Sequence, residues 1–277
     1  MKIIMIGHGM VGHKFIESVL EHVGDDVEIT ILAEEPRLAY DRVHLTEYFS
    51  GKSAKDLTLC RADFADAYGI DLRLNTKAVA IDQSHKTVTT NHGDVLSFDK
   101  LILATGSYAF VPPISGNDRE NCFVYRTIED LDAIRAASLN AKSGVVIGGG
   151  LLGLEAAKAL RDLNLETHVV EFAPRLMAVQ IDDLGGKVLR AKIENLGVKV
   201  HTQKATSSIE EGATTKHVMK FGDGSELETD IILFSAGIRP RDELARQSGL
   251  ALGERGGIMI NDYCQTSNPD IYAIGEC

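Results

Sequence analysis

The residues of this chain best suited to chemistry sit in two glycine turns of one design. Gly7-His8-Gly9-Met10-Val11-Gly12 follows the apolar run Lys2-Ile3-Ile4-Met5-Ile6, and Gly148-Gly149-Gly150-Leu151-Leu152-Gly153 follows Gly144-Val145-Val146-Ile147. In such a turn the first glycine (Gly7, Gly148) makes the bend. The second (Gly9, Gly150) lets backbone approach a pyrophosphate, and the third (Gly12, Gly153) allows close helix–strand packing. A helix opening at Met10-Val11 or Leu151-Leu152 then turns unpaired N–H groups and the positive end of its dipole toward phosphate oxygens. Two such turns predict two dinucleotides, and so an oxidoreductase.

The end of the next strand is the station for an acid that accepts hydrogen bonds from the adenosine ribose. Val27-Glu28-Ile29-Thr30-Ile31-Leu32 leads to Glu34-Glu35, and either carboxylate fits. Thr167-His168-Val169-Val170 leads directly to Glu171. A carboxylate there repels a 2′-phosphate, so the second site is expected to prefer NADH to NADPH. Arg175, four residues on and past Pro174, is a nearby cation that would argue otherwise.

The elements that must position these residues repeat as well. Each module closes with a late strand, Lys100-Leu101-Ile102-Leu103 before Ala104-Thr105-Gly106 and Asp230-Ile231-Ile232-Leu233-Phe234 before Ser235-Ala236-Gly237. Both then run into proline (Pro112-Pro113, Pro240), as where a chain leaves a sheet. Residues 151–163 place Leu152, Ala156, Ala159, Leu160 and Leu163 on one helical stripe, and residues 183–196 do so with Leu184, Val188 and Leu196, closed by Gly197. Thr127-Ile128-Glu129-Asp130 is a capping pattern. Short alternating stretches between Val79 and Phe98 and between Val218 and Leu227 read as antiparallel hairpins. The predicted fold is therefore α/β: two Rossmann-like dinucleotide-binding domains with parallel sheets and antiparallel hairpin insertions, one inserted into the other. The boundaries are 1–112 with 241–277 for the first domain and 113–240 for the second. Tyr272-Ala273-Ile274 resumes a strand immediately before the last residue, so the chain is expected to be a fragment.

Composition narrows the class further. At 277 residues and 44% hydrophobic, the chain can bury two cores. A net charge of −11 disfavours nucleic acid and anionic membrane as partners. No apolar run approaches the roughly 20 residues of a membrane span, and no signal peptide precedes the first strand, so a cytoplasmic location is expected. Cys60, Cys122, Cys264 and Cys277 show no CxxC or CxxxxC pair, the first three reading as small half-buried thiols. The nine histidines show no HxxxH or HxH pair, so no metal site is expected.

The two turns, Ala104-Thr105-Gly106, Ala236-Gly237-Ile238-Arg239-Pro240 and Tyr272-Ala273-Ile274-Gly275-Glu276 resemble the FAD-dependent pyridine-nucleotide oxidoreductases. Within that class Glu34-Glu35-Pro36-Arg37-Leu38-Ala39-Tyr40-Asp41-Arg42-Val43-His44-Leu45, Phe123 to Leu131 and Val169 to Met177 resemble the N-terminal part of the large subunits of NADH-dependent nitrite reductases. The resemblance implies FAD on the first module and NADH on the second. It further implies FAD contacts at Gly7, Gly9, Met10, Val11, Gly12, Glu34, Glu35, Arg42, Val79, Ala104, Thr105, Gly106, Arg126 and Glu276. For NADH it implies Gly148, Gly150, Leu151, Leu152, Gly153, Glu171 and Gly237. Glu276 stands where most relatives have aspartate. Reduction of nitrite to ammonia would need an iron–sulfur cluster and sirohaem in further domains, with a small nitrite reductase subunit as a possible partner.

Absences refine the class. NADH oxidases and peroxidases carry a reactive cysteine shortly after the Tyr40 region, where this chain has Arg42-Val43-His44-Leu45. Disulfide reductases carry CxxxxC after the first turn, where it has Phe15-Ile16-Glu17-Ser18. The flavin is thus expected to relay electrons rather than serve a thiol. A free-standing NADH:rubredoxin or ferredoxin reductase would share these motifs, and so would a non-catalytic FAD-bound NADH sensor.

Overall fold

A computed structural model describes residues 1–23 and 26–277. In chain order it runs β1 (Lys2–Ile6), α1 (Met10–Val23), β2 (Glu28–Leu32), α2 (Phe64–Ala67), β3 (Asp71–Arg73), β4 (Ala78–Asp82), β5 (Thr87–Thr90), β6 (Val95–Ser97), β7 (Lys100–Leu103) and β8 (Ser107–Ala109). It continues with β9 (Cys122–Val124), α3 (Ile128–Ser138), β10 (Ser143–Ile147), α4 (Leu151–Asp162), β11 (Glu166–Val170), α5 (Asp183–Asn195) and β12 (Val198–His201). It ends with β13 (Thr206–Glu211), β14 (His217–Phe221), β15 (Glu226–Thr229), β16 (Ile231–Phe234), β17 (Ile238–Pro240), α6 (Glu243–Gln247) and β18 (Ile271–Ala273).

The chain forms two compact units. The first comprises Met1–Arg42, Ala54–Tyr108 and Arg239–Cys277, and the second Val43–Ser53 and Ala109–Ile238. The boundaries differ from the sequence reading chiefly at Val43–Ser53, which groups with the second unit. The reason is local. Arg135 of α3 stacks its guanidinium 4.1 Å from the Tyr48 ring centroid and donates to the Tyr48 carbonyl at 2.6 Å, while the Tyr48 hydroxyl donates to Asp132.

Each unit has a five-stranded parallel sheet, in the orders β18-β7-β1-β2-β3 and β12-β11-β10-β16-β9. The two orders coincide when β1 is laid on β10, β2 on β11, β3 on β12 and β7 on β16. Only the fifth strand differs in origin: β18 comes from the end of its unit's sequence and β9 from near the start. The central strands are apolar throughout, as a sheet covered on both faces requires. Ile3, Ile4, Met5 and Ile6 are buried, as are Val145, Val146 and Ile147.

Layering is also repeated. In the first unit Ile81, Val88 and Phe98 join Ile4, Ile6 and Leu101 in one core. Ile81 and Val88 come from the antiparallel sheet β4-β5-β6, Phe98 from the link between β6 and β7, and the others from the parallel strands. Ile16 of α1 packs with Ile3, Met5 and Ile31 in another. In the second unit Ile209, Met219 and Phe221 of β13-β14-β15 pack with Val145, Ile147 and Phe234. The Thr127–Asp130 capping box forms, with the Asp130 amide donating to Thr127 Oγ1 at 3.2 Å and the Thr127 amide to Asp130 Oδ2 at 2.8 Å.

Two helical stripes differ from expectation. Leu184, Val188 and Leu196 are 71%, 55% and 66% exposed, and Leu152 is 44% exposed. The sequence 183–196 carries two apolar stripes, and the one turned inward is Gly186-Leu189-Ile193. Gly186 is the buried residue of α5 because the aliphatic stem of Arg175 lies against it. Leu152 sits at the mouth of the second glycine turn, outside the packing stripe of Ala156, Ala159 and Leu160.

Candidate functional site

The two glycine turns are alike atom for atom in what they forbid. Gly7 (φ +104°) and Gly148 (φ +121°) adopt left-handed backbone, and a Cβ on either would lie closer than 3.0 Å to a carbonyl oxygen, of Ala104 and Ser235 respectively. A Cβ on Gly12 or Gly153 would strike the carbonyl oxygen of Gly7 or Gly148. Gly9 and Gly150 are the opposite case, for apart from their chain neighbours no atom of the described residues lies within 4 Å of where their Cβ would be. That open space lies before helices whose first intrahelical bonds are His13 N to Gly9 O at 2.9 Å and Leu154 N to Gly150 O at 3.0 Å. The preceding N–H groups of Met10, Val11 and Gly12, and of Leu151, Leu152 and Gly153, have no intrahelical acceptor. Each turn is therefore a donor-rich cradle that a diphosphate fits.

The surrounding backbone bonds also correspond one to one. Gly7 N donates to Leu32 O at 2.8 Å and Gly148 N to Val170 O at 2.9 Å. Ala33 N donates to Arg73 O and Glu171 N to His201 O; Thr76 N donates to Ala33 O and Lys204 N to Glu171 O. This register makes Ala33 the counterpart of Glu171, and Glu34 lies one residue later. The late strands end alike in Gly106 (φ +68°) and Gly237 (φ +106°), both with open space at the Cβ position.

The acids are held differently. Glu171 Oε2 accepts from Gly149 N at 2.5 Å and its Oε1 from Ala173 N at 2.7 Å. Glu34 pairs with Arg241 at 2.7 Å and Lys77 at 3.2 Å. Glu35 pairs with Arg42 and accepts from the Tyr40 hydroxyl at 2.8 Å, with the Arg42 guanidinium 4.6 Å from the Tyr40 ring. In the same unit Thr105 Oγ1 donates to Arg241 O at 2.7 Å, and Ser107 Oγ donates to Glu276 Oε2 at 2.8 Å. Val79 stands half exposed on β4. Arg126 belongs to the second unit, where its amide donates to Asp130 Oδ2 at 3.0 Å.

Two residues of interest escaped sequence reasoning. His8 is 8% exposed, and neither ring nitrogen has a hydrogen-bond partner among the described residues. Its ring lies edge-on to His13 at 5.6 Å, and His13 in turn edge-on to Phe64 at 4.9 Å. Burial, and secondarily the His13 charge, lower the His8 pKa to about 4, so the imidazole is neutral at pH 7. His8 occupies the station that Gly149 fills in the second unit. Glu155, on α4 beyond Gly153, is a half-buried carboxyl whose pKa burial raises, with His44 opposing. Its signal was legible as an acid set among Leu154, Ala156 and Ala157 on an otherwise apolar turn.

Among the described residues no group of three or more His, Cys, Asp or Glu is placed to hold a metal ion, and no helix is long and apolar enough to cross a membrane. All four cysteines are free and half-buried.

Comparison with known proteins agrees with this geometry. The chain is 55% identical to the nitrite reductase (NADH) large subunit of Escherichia coli over 278 residues, which is 100% of this chain and 33% of that protein. It is 38% identical to the assimilatory nitrate reductase electron transfer subunit of Bacillus subtilis, again over 100% of this chain and 36% of that one. The chain thus spans about a third of the length of these relatives. A solved NAD-dependent persulfide reductase from A. fulgidus superposes with a TM-score of 0.94 at 30% identity, covering 100% of this chain and 53% of the other. The pyridine nucleotide-disulphide oxidoreductase family model matches residues 1–277, and the chain belongs to that family.

Proposed function

We propose that this chain is the electron-entry module of an NADH-dependent nitrite reductase, with FAD held by the first unit and NADH by the second. One observation carries the reading: two glycine cradles, each open at its middle glycine and walled by the same backbone bonds. In the first unit Gly7, Gly9, Met10, Val11 and Gly12 would hold the FAD pyrophosphate. Glu34, Glu35 and Arg42 would face its adenosine half, while Ala104, Thr105, Gly106, Val79 and Glu276 would border the rest. In the second unit Gly148, Gly150, Leu151, Leu152, Gly153 and Gly237 would receive NADH, and Glu171 its adenosine ribose. Bound FAD supplies the step from hydride to single electrons. The protein's own contribution is placement of two cofactors and exclusion of a 2′-phosphate.

The identity to nitrite reductase large subunits supports an acceptor carried elsewhere on a longer polypeptide, namely an iron–sulfur cluster and sirohaem, with a small subunit as partner. Such a module would work in the cytoplasm, where NADH is available. The test is to load the whole protein with its cofactors and follow NADH oxidation with nitrite, rubredoxin or ferredoxin as acceptor. Nitrite-dependent turnover with ammonia as product is expected. Turnover with rubredoxin or ferredoxin alone would assign a carrier reductase, and NADH binding without any turnover would assign a sensor.

A further inference from the structure

The segment after Glu171 does more than present one carboxylate. It folds back onto the second glycine turn and holds Gly149 from three sides. Glu171 Oε2 accepts from the Gly149 amide at 2.5 Å, Met177 N donates to Gly149 O at 2.9 Å, and a Cβ on Gly149 would come within 2.7 Å of Leu176 Cδ2. Leu176 is fully buried. Gly149 sits between the glycine that bends and the glycine that is open, so whatever fixes it fixes the shape of the cradle.

Arg175 is what holds that segment down. Its Nε donates to Ile181 O at 3.0 Å, one terminal nitrogen to Ala178 O at 3.2 Å, and the other to Asp183 Oδ1 at 2.7 Å. Its stem lies so close to α5 that a Cβ on Gly186 would meet Arg175 Cδ at 2.8 Å. All three guanidinium nitrogens are engaged within residues 175–183 and α5. The fork is rigid and planar, so these three directions cannot be met by an ammonium.

We propose that Arg175 is a positioning residue for the dinucleotide of the second unit. It staples the 172–183 segment to α5, so that Leu176, Met177 and Glu171 hold Gly149 in the shape that receives the pyrophosphate. Its charge is spent in doing so and does not reach a 2′-phosphate, which leaves the discrimination to Glu171. This rests on the assignment of NADH to the second unit.

The test uses FAD-loaded protein and measures Kd for NADH and NADPH by titration, alongside FAD content, thermal melting and kcat at saturating NADH. Arg175→Gln is expected to weaken NADH and NADPH about equally, roughly tenfold, with FAD content and saturating kcat unchanged. Arg175→Lys is expected not to rescue. Gly186→Ala, which displaces the stem without removing the guanidinium, is expected to move both constants in the same direction and keeps the test open should Arg175→Gln fail to fold. Glu171→Ala, by contrast, is expected to narrow the NADH-to-NADPH ratio. Unchanged NADH affinity in Arg175→Gln and Gly186→Ala would overturn the proposal, as would selective loss of NADPH, which would mean that the guanidinium reaches the phosphate. If the unsubstituted protein binds no NADH at all, the assignment of the second unit fails instead.

Discussion

The two units solve one problem with the same backbone and different side chains at two stations. In the second, Gly149 leaves room for the Glu171 carboxylate to cap its amide. In the first, the corresponding stations are His8 and Ala33, and the acid moves to Glu34, where Lys77 and Arg241 share its charge. The backbone contacts around Gly7 and Gly148 agree because they are steric and tolerate no alternative. Under the proposed function the acid of the first unit, Glu34 or Glu35, need not occupy the station of Glu171, because a carboxylate on a loop can reach the same place from neighbouring positions. What must be rigid is duplicated, and what must be specific has diverged.

The strongest way to break this comparison is at the bending glycines. Gly7→Ala and Gly148→Ala each place a methyl group against a carbonyl oxygen in left-handed backbone. Each is expected to cost about 3 kcal/mol or more, in its own unit, seen in urea unfolding as loss of one transition before the other. Equal destabilisation of both units by either substitution would count against a clash confined to the unit that holds the substituted glycine.

Next come the open glycines, where the protein leaves space and only a ligand would object. Gly9→Val is expected to strip FAD and Gly150→Val to abolish NADH-driven flavin reduction, each with melting temperature shifted by only a few degrees. Gly150 has φ −80° and ψ −176°, a conformation valine accepts. Parallel loss of both nucleotides from one substitution would count against separate sites.

The acids sharpen the contrast. Glu171→Ala removes two charge-assisted bonds and, under the proposed function, ribose contacts worth about 1.5–3 kcal/mol, read as a rise in the NADH Kd. Glu34→Ala removes an exposed acid already shared by two cations, and a change below about 1 kcal/mol in FAD affinity is expected. An equal penalty at both would mean that the displaced acid grips its nucleotide as firmly as the one at the strand end.

Much of this was legible in the chain. The glycine turns, their strands and the Thr127 cap announce themselves because each rests on local chemistry: a forbidden Cβ, an apolar run, a side-chain acceptor three residues from its donor. The packing side of α5 was not legible, since Leu184 and Val188 lie on one stripe and Leu189 and Ile193 on another. Only the stem of Arg175, lying on Gly186, decides which turns inward. The attachment of Val43–Ser53 was hidden for the same reason, because Arg135 lies more than eighty residues from the Tyr48 it covers.

His8 gives the comparison a dependence on pH. Its pKa is about 4 in the folded protein, against the usual 6.5, so the unfolded chain binds the proton more readily between those values and stability falls as pH falls through that window. His13, Glu17 and Lys14 are the titratable neighbours on α1. At pH 5.5 the first unit is expected to lose about 1 kcal/mol relative to pH 7.5, and His8→Asn is expected to flatten that difference in a melting series. An unchanged pH profile in the variant would place the dependence elsewhere. The smallest effect is expected at Leu184→Ser, within about 0.5 kcal/mol in urea unfolding, because the side chain is 71% exposed.

The origin of the fifth strand bears on how the molecule is made. β9, β10, β11, β12 and β16 all lie between residues 122 and 234, so a ribosome releases everything the second sheet needs in one continuous stretch. The first sheet must wait, because β7 is released early and β18, which pairs with Leu101, Ile102 and Leu103, emerges only at residues 271–273. Until then the edge of β7 is exposed on the nascent chain, a ready template for wrong pairing. The second sheet can therefore close before the first, whose closure between β7 and β18 spans the longer stretch of chain and carries the larger loop entropy.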